Sequence, residues 1–138
     1  MDLRVQPISS HDPRRLREMM DRAGTLAREH GLRSVIVGLS GYEGDAVFPE
    51  VIDYIESALR VDDSVFRMTR ERTVLLLTDV GTEQATAILE RLLGEYRERV
   101  PQLTEPAVGI GLFEVGPDTG EVSVKRVLPD LFTPPRPH

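Results

Sequence analysis

Apolar residues fall along the chain in two alternating rhythms. From Asp12 to Gly31 they recur every three or four positions, at Leu16, Met19, Met20, Ala23, Leu26 and Ala27. That is the stripe of an amphipathic helix. Asp12 suits its N-cap, Pro13 its first position and Gly31 its stop. "LRSVIVGLSGY" then holds a continuous run, Val35 to Val37, expected of a central strand covered on both faces. "GDAVFPEVIDYIESALR" returns to the helical period, with Val51, Ile52, Ile55 and Leu59 inward and Pro49 in a tolerant first turn. Two short strands follow, "SVFRM" and "RTVLLLTD". The helix "TEQATAILERLLGEYRERV" turns Ala85, Ile88, Leu89, Leu92, Leu93 and Tyr96 to one side, and "AVGIGLFEV" is a strand. Beyond it, Asp118, Thr119 and Gly120 predict a turn, "EVSVKRVL" a strand, and the proline-rich end a loose tail.

This order predicts an α+β fold: a ferredoxin-like β-α-β-β-α-β core behind an N-terminal helix. Two right-handed crossovers place both long helices of the core on one face of an antiparallel sheet. The chain divides into a lead-in over 1–11, one domain over 12–132 and a tail over 133–138. Its 138 residues suit a single core. Cysteine is absent, which excludes a disulfide framework and thiol chemistry and fits a reducing cytoplasm. The first residues lack the apolar core of a signal peptide, and no run approaches the ~18 apolar residues of a membrane span. A net charge of -6 and a pI of about 5.1 argue against nucleic acid as a partner. The expectation is a cytoplasmic protein without membrane or nucleic-acid contacts.

The turn between the two short strands is unusual. A tight hairpin favours Gly, Asn or Asp, yet here the chain reads "TRERT", Thr69, Arg70, Glu71, Arg72 and Thr73. Its surroundings explain why. The stretch from Gly44 to Leu93 resembles, without a gap, the middle of the GGDEF (diguanylate cyclase) domain. The pattern is a G-D pair, an apolar helix ending in L-R, R-x-x-D, five residues, the G-G-D-E-F turn, an apolar strand and an E-R-L helix. "SVIVGLSGYE" and "AVGIGLFEV" resemble the family's flanking strands, so the likeness covers roughly residues 12 to 115.

The resemblance implies metal-assisted joining of two GTP molecules into cyclic di-GMP, but the residues that carry it have changed. Such chemistry needs carboxylates that hold divalent ions against a triphosphate, and a small turn that lets backbone approach the nucleotide. Gly38 and Ser40 stand where the first strand's acids would be, and Glu43 replaces a lysine. The guanine-holding loop is missing between Tyr42 and Gly44. Both glycines of the signature turn are gone, Glu71 is its one acid, and Arg72 replaces the catalytic glutamate. No catalytic residue, metal ligand or cofactor is expected: the chain reads as a degenerate cyclase domain.

One motif persists. Arg60-Val61-Asp62-Asp63 matches R-x-x-D at the family's spacing from the turn. The resemblance makes Arg60 and Asp63, with Arg91 from the next helix, a cyclic di-GMP site in which arginine forks and a carboxylate meet guanine and phosphate. The plainer reading is that Arg60 favours a helix C-terminus and Asp63 caps a turn.

Other clusters offer less. His11, His30 and His138 lack metal-ligand spacing, and His30 suits a helix end. "GLSGYEGD" lacks the lysine of a phosphate loop, and its acids would repel an anion. Ser40 has no histidine base nearby in sequence, and Met19 and Met20 read as core. Two functions remain: a non-catalytic regulatory module of bacterial signalling that binds a protein partner or a second copy, or a cyclic di-GMP effector. An enzyme of other chemistry has no visible acid pair or nucleophile, and "RMTRER" as a nucleic-acid contact lacks an aromatic neighbour.

Overall fold

The computed structural model describes residues 11–100 and 108–132. The sequence-level lead-in, apart from His11, and the tail lie outside them. In chain order the elements are α1 (Pro13–His30), β1 (Ser34–Ser40), α2 (Phe48–Ala58), β2 (Ser64–Arg67), β3 (Arg72–Thr78), α3 (Thr82–Arg99), β4 (Gly109–Val115) and α4 (Val124–Leu131).

Local chemistry sets the helix ends. Asp12 accepts the Arg14 N–H, Pro13 opens α1, and Gly31 closes it at φ 64°, donating its N–H to the Ala27 carbonyl. Asp45 begins α2, its Oδ1 accepting the Val47 and Phe48 amides at 2.9 and 3.1 Å. Gln84 accepts the Gly81 amide at the start of α3, and Glu114, reaching across from β4, accepts that of Thr82.

The four strands form one sheet in the order β2-β3-β1-β4, every neighbouring pair antiparallel. This is the split β-α-β arrangement that the element order predicts. Alternation along the strands divides the core in two. Val35, Val37, Leu39, Leu75 and Leu77 face α2 and α3; Ile36, Val74 and Leu76 face α1 and α4. The inward stripes read from the sequence are buried, except that Leu26, Leu59, Ile88 and Leu93 are half-buried at their margins.

One element differs from expectation. "EVSVKRVL" contains the start of a helix, not a strand. The turn at Asp118–Gly120 is present, with Gly120 at φ 80°, and Ser123 then accepts the Arg126 N–H as the N-cap of α4. Val127 and Leu131, four apart, drop onto the α1 face of the sheet. Alternation in "VSVKRV" suits a strand, and the capping serine outweighs it.

Candidate functional site

Four pieces meet at the end of the sheet where β1 finishes: the β1–α2 loop, the β2–β3 hairpin, the N-terminus of α2 and the C-terminus of α4. The hairpin is tighter than its sequence suggests. Met68 and Thr69 both donate to the Arg72 carbonyl, and Thr69 Oγ1 accepts the Glu71 N–H. Arg72 and Thr73 therefore belong to β3, opposite Ser40 and Leu39, and Thr73 is buried. Only Thr69, Arg70 and Glu71 of the signature pentapeptide form the tip.

The arginines around this tip have separate surroundings. Arg67 bonds Asp53 at 2.7 Å and Glu56 at 2.9 Å on α2. Burial works against its charge, but those two carboxylates outweigh it and raise its pKa. Arg72 lies over the Phe132 ring at the end of α4, 5.1 Å from its centroid. Arg70 is exposed and has no acidic partner among the described residues. The exposed positive charge of the hairpin is thus Arg70 at its tip, with Arg72 on its flank.

Glu71, the one acid of the turn, is held by backbone. Its carbonyl accepts the Gly41 N–H at 2.8 Å and its carboxylate the Gly44 N–H at 3.4 Å. Gly38 is enclosed from the opposite face. A Cβ built there would lie 2.7 Å from Leu131 Cβ and 3.1 Å from the Phe132 ring. Its neighbour across the ladder is Gly111, where α4 backbone again crosses too closely for any side chain. The residues present do not fit the divalent ions that a cyclase site would require. Glu71 is a single acid flanked by arginines, α4 fills the space of a side chain at 38, and no group of three or more His, Cys, Asp or Glu among the described residues could hold a metal.

A cleft of about 460 Å³ opens on the α2 side of the hairpin. Phe48, Pro49 and Ile52 form its floor, Thr69 and Thr73 one wall, and Arg67, Arg70 and His11 its charged and polar border. Sequence reading missed this cleft, and also Phe132. The available signals were a proline and two large apolar residues at the start of α2, and a glycine at 38 facing another in "GIG".

The R-x-x-D residues sit at the far end of the sheet from the hairpin and form a clasp. Asp63, its side chain 4% exposed, accepts from the Arg60 backbone and guanidinium and from the Thr78 N–H and hydroxyl. Arg60 also donates to the Thr78 carbonyl, and its hydrogen bond to Asp63 raises its pKa. The clasp fastens the α2–β2 turn to the end of β3, which favours the turn-capping reading of Asp63. Arg91 is engaged elsewhere: it ion-pairs Glu95 at 3.7 Å, and Glu95 accepts the Tyr54 hydroxyl at 2.8 Å. No hydrogen bond or ion pair among the described residues joins Arg91 to Arg60 or Asp63.

A split β-α-β domain with a hairpin beside the end of its central strand is the frame shown by the comparisons. The family described as "Diguanylate cyclase, GGDEF domain" matches residues 41–122, and the chain belongs to the GGDEF family. A stretch of 61 residues is 41% identical to the probable diguanylate cyclase DgcT of Escherichia coli, covering 44% of this chain and 13% of that protein. The chain thus spans only a small part of that relative. The fold is similar to the FimX GGDEF domain of Pseudomonas aeruginosa, with a TM-score of 0.66, 16% identity and 90% of each chain covered. It is also similar to PelD of the same organism in complex with c-di-GMP, with a TM-score of 0.64, 24% identity, and 78% of this chain and 41% of that one covered. Among the described residues no helix is long and apolar enough to cross a membrane.

Proposed function

We propose that this chain is a non-catalytic GGDEF domain, a cytoplasmic regulatory module of bacterial signalling that acts through contact with a protein partner or a second copy. The observation that carries this reading is the seating of α4 on Gly38 and Gly111. The position corresponding to the family's first metal carboxylate has neither a side chain nor room for one. Arg72, which stands for the catalytic glutamate, stacks on Phe132 instead. Phosphoryl transfer depends on metal ions and positioned charge, and among the described residues no group of three or more His, Cys, Asp or Glu could hold such an ion. Incubation with GTP and magnesium or manganese, followed by chromatography, tests the proposal. Unchanged GTP is expected; a linear or cyclic guanine dinucleotide would overturn it.

A second reading, a cyclic di-GMP effector, has two observations in its favour. The Arg60 side chain stays 55% exposed although it bonds Asp63 and Thr78. PelD, similar in fold, is seen with c-di-GMP. Calorimetry with cyclic di-GMP separates the readings. Binding that vanishes in Arg60→Ala supports the effector; no heat at tens of micromolar leaves the contact module alone.

A further inference from the structure

The cleft beside the hairpin is not explained by the seating of α4. We infer that it is a docking site for an acidic segment of a partner protein, a short peptide with one bulky apolar side chain flanked by a carboxylate. The inference rests on the contact-module reading above and specifies its partner's chemistry.

Shape and charge both point to such an occupant. In a cleft of about 460 Å³, half-buried Pro49 over the buried Phe48 and Ile52 offers room for one apolar anchor. Arg67 on its wall is already matched by Asp53 and Glu56, so it shapes the cleft without demanding a ligand charge. Arg70 differs. It stands exposed at the mouth with no acidic partner among the described residues. An incoming carboxylate can take its guanidinium in a bidentate pair, and the Thr69 hydroxyl lies on the same rim. The lining holds neither a carboxylate nor a carboxamide that could read a guanine edge. The chemistry therefore favours an acidic peptide over a guanine nucleotide. A chain charge of -6 repels an acidic segment elsewhere, which sharpens its register on this spot.

The test is a selection of phage-displayed random peptides on the intact chain and, in parallel, on Arg70→Glu. Circular dichroism confirms that this exposed substitution leaves the fold intact. Enriched peptides should share an apolar anchor beside Asp or Glu, and Arg70→Glu should weaken them about tenfold or more, as reversing an interfacial charge does. Amide shifts on titration should map to Phe48, Ile52, Thr69 and Thr73. Four outcomes overturn the inference: no enrichment, basic or uncharged motifs, indifference to Arg70→Glu, or displacement by GTP or cyclic di-GMP, which would make the cleft a nucleotide site. If the selection fails while GTP remains unturned, the docking site falls and the non-catalytic reading stands; turnover of GTP would instead defeat that reading itself.

Discussion

Gly38 departs from the family's pattern and Asp63 matches it, and each has a packing role in this fold. Glycine at 38 exists because α4 lies on it. In Gly38→Asp the helix must lift or the strand must shift, and a carboxylate is forced against apolar Leu131. The expected cost is at least about 2 kcal/mol, from overpacking plus a poorly solvated charge. Urea denaturation should show a lowered midpoint, amide exchange should show α4 loosened, and no GTP turnover should appear. Asp63→Ala removes the acceptor for the Thr78 amide and the Arg60 guanidinium, with an expected loss of roughly 2 kcal/mol by thermal or chemical denaturation. Both residues were visible in the sequence, one as a missing acid and one as half of R-x-x-D. The geometry was not visible, because it depends on helix and strand partners distant along the chain.

The elements themselves were legible wherever the pattern was long. Asp12, Pro13 and Gly31 bracket α1 as their types predict, and the apolar run at Val35–Val37 marks the central strand. Short elements were harder to read. Thr73 looked like part of a polar turn, yet its place opposite Leu39 buries it in β3. In α4 an alternating pattern competed with a serine cap, and packing of Val127 and Leu131 on the sheet favoured the helix. The cap is therefore decisive for this eight-residue helix. Ser123→Ala should cost about 1 kcal/mol. Hydrogen exchange should show the loss first in α4, with α1, on the same face, much less affected.

At the scale of the whole molecule, one sheet serves two cores. Leu75 and Leu76 are consecutive on β3 and fully buried, yet they belong to opposite faces. Either truncated to alanine should cost about 2–5 kcal/mol by leaving a cavity. Because both cores hang on the same strands, each variant should lower a single unfolding transition without changing its denaturant slope. Two separate transitions would show that the faces unfold independently. Fold class was readable at this scale because element order constrains topology strongly. The cleft beside the hairpin was not, since its lining comes from α2 and from the hairpin.

The strand order also dictates how the chain reaches this state. Both neighbours of β1 arrive later in the sequence, β3 after a helix and a hairpin, β4 after a further helix. No local hairpin can nucleate the middle of the sheet. The two ladders of β1 close only after long stretches of chain have been gathered, whereas the β2–β3 hairpin closes locally. Folding speed is therefore governed by the arrival of distant strands at β1. Until α4 is in place, the space over Gly38 lacks the Leu131 and Phe132 contacts that fill it, although α1 covers Ile36 on the same face.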